Sequence, residues 1–218
     1  MNFFVSSLTQ DPFYFFSWVG IVAFSICFHE YAHASMALKR GDDTAARMGH
    51  LTLNPMVQMG PMSVVMLLLI GIAWGAVPVN PGRLRTRADA AMVSFAGPAA
   101  NLLLSLLFGG VAAGLSTLSG GDSSATLVVR FCAYGCMANG VLFVFNMLPV
   151  PMFDGWSVFS LFVPAMREVE PQRAQTISLI VVAIVFITPV GSLIWGLGTA
   201  LSGFVMGAWA GLFALFIY

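Results

Sequence analysis

The chain has 218 residues, of which 59% are hydrophobic and 8% are charged. A soluble domain carries about 25% charged residues, so this composition, with a mean hydropathy of +0.90, excludes a soluble enzyme and indicates a polytopic membrane protein. Nine basic residues balance nine acidic ones, which leaves no electrostatic footing for a nucleic-acid partner.

In chain order, Met1-Asn2-Phe3-Phe4 offers no basic n-region, so the first span is expected to insert as its own signal-anchor. That span is Phe13–Leu38, a run without Lys, Arg or Asp. It exceeds the roughly 20 apolar residues that cross a bilayer core of about 30 Å. Its one acid, Glu30, is bracketed by His29 and His33 in the run His29-Glu30-Tyr31-Ala32-His33. Charge at membrane depth costs on the order of 2.5–3.5 kcal/mol on insertion scales, so such a cluster needs a reason. H-E-x-x-H on a helix supplies one: two imidazoles on one face hold zinc and the carboxylate beside them serves as general base.

Lys39, Arg40 and Gly41 end the span, and a polar loop runs to His50. Leu51-Thr52-Leu53-Asn54-Pro55 reads as a short strand or turn. Pro61–Val77 is apolar but interrupted by Gly71 and Gly75, and Val77-Pro78-Val79-Asn80-Pro81 again reads as extended. Further spans are expected at Ala90–Leu115, Leu127–Leu148, Ile177–Leu197 and Thr199–Ile217, with Gly97-Pro98 read as a helix opening. Cys27, Cys132 and Cys136 lie in apolar stretches, and their odd number does not suit a disulfide framework. The expected fold is an all-α polytopic membrane protein. It has about five full transmembrane helices plus a re-entrant segment with short β-strands between the first two full spans. One domain covers 1–218, with a catalytic core at about 13–160 and a C-terminal helical pair at about 175–217.

Lys39, Arg40 and Arg47 follow the first span, Arg83, Arg85 and Arg87 precede the next clear one, and Arg167 and Arg173 lie in a late loop. Basic clusters mark the cytoplasmic side. Placing all three there requires 40–89 to begin and end on one side, with the N-terminus outside; the rival is a plain span at Pro61–Val77 with one arginine cluster outside. A catalytic zinc needs a third protein ligand, and the candidates are Asp154, His50 and the pair Cys132 and Cys136. Asp154 is the only acid between Asp122 and Glu168, although an N-cap for a short helix from Trp156 also accounts for it. It follows the span ending at Leu148, so it meets the histidines if that span runs parallel to the first, which again demands that 40–89 return to its starting side.

These blocks resemble the site-2 protease family of intramembrane zinc metalloproteases. The resemblance rests on His29-Glu30-Tyr31-Ala32-His33, Gly97-Pro98-Ala99-Ala100-Asn101 and Asn146 through Gly155, which span most of residues 20–160. It implies one zinc per chain held by His29, His33 and Asp154, Glu30 as catalytic carboxylate, and an active site within the membrane near the cytoplasmic face; the compactness of the chain suggests a prokaryotic plasma membrane. Leu51–Pro55 and the segment to Pro81 resemble the family's membrane-embedded β-hairpin region. Phe153-Asp154-Gly155 stands where Leu-Asp-Gly is usual. Gln58-Met59-Gly60-Pro61 replaces a His-Ile-Asp-Pro run, so no role passes to Gln58. The family's appended soluble domains are not expected.

The expected reaction is zinc-dependent hydrolysis of a peptide bond within or near a transmembrane helix of a membrane-protein substrate in the lipid bilayer. Asn146 and Asn101 are candidates for oxyanion or substrate-backbone contacts, and Leu51, Thr52, Leu53 and Asn54, or Val77–Asn80, for pairing with an unwound substrate. The competing class is a catalytically silent membrane protein that binds zinc or helices. Two features oppose it: Glu30 is present, and the ionisable groups gather at one end of two helices.

Overall fold

The computed structural model describes residues 4–119 and 123–217. Asp11 caps the first long helix through its carboxylate, which accepts from the Tyr14 N–H at 3.0 Å. One-turn α1 (Ser7–Gln10) precedes it, and α2 then runs Pro12–Lys39. Short helices α3 (Thr44–Arg47) and α4 (Pro55–Gln58) lead to α5 (Gly60–Ile70). The second long helix, α6 (Arg87–Leu118), starts on a capping box in which Thr86 and Asp89 satisfy each other's backbone N–H groups. Next come α7 (Ser123–Asn146), the short α8 (Asp154–Phe159), α9 (Pro171–Ile187) and α10 (Val190–Ile217).

Among the described residues four helices are long and apolar enough to cross a membrane, at Pro12–Lys39, Arg87–Leu118, Thr126–Asn146 and Val190–Phe216. This corrects the expectation of five. The break near the C-terminus falls at Thr188-Pro189 rather than after Leu197. Thr188 is extended, with φ −115° and ψ 168°, as the residue before a proline prefers. The helix ending there, α9, has 17 residues, below the roughly 20 a crossing needs.

The expected re-entrant segment with β-strands is also overturned. Among the described residues there is no strand and no re-entrant loop; 40–86 is a series of short helices, turns and irregular chain. Leu51 and Thr52 form a bend. Residues 72–80 make one backbone-to-backbone bond with another segment, from Ala76 N–H to the Gln58 carbonyl at 3.0 Å. With Pro78 and Pro81 lacking N–H groups, no ladder can propagate. The helix α5, with 11 residues, spans about 16 Å and stops where Gly71 turns left-handed at φ 75°. Phe4 packs so closely that a methyl group on Gly71 would collide with its ring.

Gly97-Pro98 does not open a helix. Pro98 lies inside α6, where it withholds the N–H that Ser94 would otherwise receive. At the centre of the bundle, α6 touches α2, α7, α8 and α10. Two contacts set the relative directions. At one end Arg40, capping α2, pairs with Asp89 in the first turn of α6 at 3.2 Å. At the other, Asp11 pairs with Arg130 of α7 at 2.7 Å. Helices α2 and α7 therefore run parallel with α6 reversed between them, and the chain leaving α7 returns to the end of the bundle where the histidines lie.

Candidate metal centre and its cleft

Four residues apart on α2, the imidazoles of His29 and His33 share one face. Their Nε2 atoms approach to 2.9 Å and their rings meet edge to face, with centroids 4.6 Å apart. Asp154 reaches them from the first turn of α8: Oδ2 is 3.1 Å from His29 Nε2 and Oδ1 is 3.3 Å from His33 Nε2. One donor atom from each of the three residues falls within a 4.8 Å group. His29 is 7% exposed and His33 6%.

The turn that delivers Asp154 is tightly specified. After Asn146 the backbone folds through bonds from Leu148 N–H to the Phe145 carbonyl (3.2 Å) and from Phe153 N–H to the Val150 carbonyl (3.1 Å). Met152 adopts φ 77°, a rare conformation for a residue with a side chain. Phe153 stacks edge-on against Phe145 at 4.5 Å. A Cβ on Gly155 would strike the Met147 and Leu148 carbonyls, so only glycine lets α8 sit this close. The N-cap of α8 is Phe153, not Asp154, so the carboxylate is not spent on capping.

The donor set fits a zinc ion by its own chemistry. Nδ1 of His33 lies 2.7 Å from the Val93 carbonyl, which can only accept, so in the neutral ring this nitrogen carries the proton and Nε2 presents a lone pair. The Nε2 atoms of both histidines and the carboxylate oxygens of Asp154 converge on one point, where one cation would satisfy all three groups. Room for the cation is left by Gly97: a Cβ there would collide with Nε2 of both histidines.

Glu30 faces the same cleft, which has a volume of about 440 Å³ and is lined by the three donor residues, by Val77 and Val79 and by Asn146. Glu30 is 7% exposed, and a Cβ at Gly75 would overlap its Cγ and Oε1. The stretch 72–80 is pinned beside it. Ser63 Oγ donates to the Trp74 carbonyl at 2.7 Å and accepts from its N–H at 2.8 Å. Asn80 N–H donates to Asp42 at 2.6 Å. Burial works to raise the pKa of Asp42, but hydrogen bonds from Thr44 and Asn80 and the charge of Arg83 hold it below the ordinary carboxylate value. Gln58, 1% exposed, donates to the carbonyls of His50 (2.8 Å) and Thr52 (2.7 Å) and so organises the turn before α4.

The other sequence candidates are dispersed. Asn146 lines the cleft, and its amide N–H group donates to the Leu142 carbonyl at 3.0 Å. Asn101 is fully buried, with Oδ1 2.6 Å from His29 Nδ1. Leu51, Thr52, Leu53 and Asn54 lie outside the residues that line the cleft. His50 faces Gln58 at 3.4 Å, and Cys136 faces Ser105 at 3.4 Å between α6 and α7; neither joins the cluster. Gly97 and Gly75 went unread in sequence as site residues. For Gly97 a signal was present, since it stands four residues before Asn101 on the same face of α6.

Residues 110–188 match the profile of Peptidase family M50. The chain is 36% identical over 179 residues to the putative zinc metalloprotease YwhC of Bacillus subtilis, covering 79% of this chain and 80% of that one. It is 31% identical over 171 residues to the putative zinc metalloprotease Rip2 of Mycolicibacterium smegmatis and 33% identical over 176 residues to Rip2 of Mycobacterium tuberculosis. In both cases the match covers 76% of this chain and 64% of the relative. No solved structure matches.

Proposed function

This chain belongs to peptidase family M50, the site-2 zinc metalloproteases, and as a zinc-dependent intramembrane endopeptidase we propose that it holds one zinc ion through His29, His33 and Asp154 and uses Glu30 as its catalytic carboxylate. The observation that carries this is the convergence of the three donor groups within 4.8 Å, in a cleft that Glu30 shares. When bound, zinc supplies Lewis acidity toward a peptide carbonyl and lowers the pKa of a coordinated water toward about 7. Glu30, one residue from a ligand and not needed as one, takes the proton of the attacking water and returns it to the leaving amine.

Asn146 is the polar side chain in our reading that meets the substrate backbone or the developing oxyanion, since Asn101 is sealed in the helix packing. An unwound stretch of a transmembrane substrate fits along Gly75–Val79, which edge the cleft, better than along Leu51–Asn54. Lys39, Arg40, Arg47, Arg83, Arg85 and Arg87 lie at the same end of the molecule as the site, so the positive-inside bias puts the site near the cytoplasmic face. We read 1–218 as a single membrane domain, its core at about 13–160 and its C-terminal helices packed through α10 onto α6 and α7.

The test is made on purified protein in detergent. Zinc content is expected at one per chain, and cleavage of a model membrane helix should stop with a chelator and return with zinc. Glu30→Gln should keep the zinc and abolish cleavage. Cleavage that survives in Glu30→Gln removes Glu30 from the mechanism.

A further inference from the structure

Behind His29 lies a hydrogen-bonded chain of side chains from three spans. Ser25 on α2, Asn101 on α6 and Asn139 on α7 are each 0% exposed. Asn139 Nδ2 lies 2.9 Å from the Gly135 carbonyl and 2.9 Å from Ser25 Oγ. Asn101 Nδ2 lies 3.0 Å from Asn139 Oδ1 and 3.4 Å from the Ser25 carbonyl. Asn101 Oδ1 lies 2.6 Å from His29 Nδ1.

We infer that Asn101 and Asn139 are positioning residues that lock His29 in the Nδ1–H tautomer and so keep its Nε2 lone pair aimed at the metal. The direction of every bond follows from the two backbone carbonyls. A carbonyl only accepts, so the Asn139 atom facing Gly135 is its NH₂ group and the atom facing Asn101 is its oxygen. Asn101 must then present its own NH₂ group to Asn139 and to the Ser25 carbonyl. Its oxygen is left for His29, whose Nδ1 must donate. Fixing a ligand histidine through its second nitrogen settles both tautomer and ring angle. Here the lock is a neutral amide two links long, anchored on backbone, and the Asn101 oxygen that faces the site is engaged by His29. His33 achieves the same state in one step through Val93. This assignment rests on the reading of His29 as a zinc ligand.

The chain has only three histidines, so ¹⁵N spectra of the zinc-free, histidine-labelled full chain at alkaline pH can report each tautomer. In the wild-type protein His29 and His33 should both carry the proton on Nδ1. Asn101→Leu should turn His29 into a mixture of tautomers and weaken zinc binding, measured against a chromophoric chelator, by on the order of 10–100-fold. Asn139→Ala should shift both readouts the same way by less, and the double variant should be no worse than Asn101→Leu alone. Residues that merely pack helices together would give additive losses and leave the His29 tautomer alone. A wild-type His29 protonated on Nε2 overturns the inference even if no variant folds, as does Asn101→Leu that binds zinc as tightly as wild type. A wild-type chain that binds no zinc sinks the metal-site reading instead, while the tautomer spectrum still decides the lock.

Discussion

At Gly97 helix α6 comes so close to His29 and His33 that one methyl group would fill the space in front of both Nε2 atoms. Gly75 stands in the same relation to the carboxylate of Glu30. The two clearances serve different chemistry, and alanine separates them. Forcing a methyl into a packed site costs about 1–3 kcal/mol. Gly97→Ala should therefore weaken zinc affinity roughly tenfold to hundredfold in a folded protein. Gly75→Ala should leave zinc content unchanged and lower kcat, because the methyl displaces Glu30 and not a ligand. Zinc content by elemental analysis and turnover of one model substrate check both, and zinc loss in Gly75→Ala would mean that 72–80 supports the metal itself. The histidines and Glu30 were legible in sequence because four-residue spacing on a helix and the cost of charge in lipid are local facts. Gly75 was not, because the carboxylate it must avoid arrives from another element, and Gly97 was marked only by its place four residues before Asn101.

Between α2 and α6 the sequence showed extended-looking residues, and the structure holds them without strands. Alternation at Leu51–Asn54 and Val77–Asn80 is a local pattern, whereas a strand needs a partner edge with free N–H groups, which Pro78 and Pro81 deny. What fixes 72–80 comes from distant positions: the side chains of Ser63 on Trp74 and Asp42 on Asn80, and the backbone carbonyl of Gln58 on Ala76. Hydrogen bonds to a charged group contribute about 1.5–3 kcal/mol. Asp42→Ala should speed hydrogen exchange at the Asn80 amide by on the order of 10–100-fold and lower proteolytic activity with zinc retained. The pKa of Asp42 is lowered in the fold, so its contribution is fully present above the ordinary carboxylate value and fades as pH falls through the lower folded value. Protection of Asn80, corrected for intrinsic exchange, should thus be flat from neutral pH down to about 4 and drop only below that. A drop beginning near pH 6 would point to another group. Pro98 taught the same lesson inside α6: the Thr86-Arg87-Ala88-Asp89 box was the start signal, and the proline, usually a terminator, is accommodated in mid-helix.

For the molecule as a whole, two ion pairs at opposite ends, Arg40–Asp89 and Asp11–Arg130, determine which helix ends lie together. The hydrocarbon core is about 30 Å thick, so residues 3.2 Å apart, as Arg40 and Asp89 are, cannot lie on opposite faces of it. The basic residues around 39–47 and 83–87 must then share a side, which in our proposal is the cytoplasmic one. The number of crossings was less legible than their pairing, because total apolar length near the C-terminus is enough for two spans and only Pro189 decides where it divides. Single cysteines placed at Arg47, Arg85 and Ser7 in a cysteine-free background test the arrangement, since Cys27, Cys132 and Cys136 are all buried and unbridged. A membrane-impermeant maleimide should label positions 47 and 85 only in inside-out vesicles and position 7 only in right-side-out ones. If 47 and 85 label from opposite sides, the Arg40–Asp89 contact cannot exist in the membrane, α2 and α6 no longer share an end, and Asp154 loses its route to His29 and His33. If both label from outside together, the bundle stands but is inverted, and the site opens toward the other compartment.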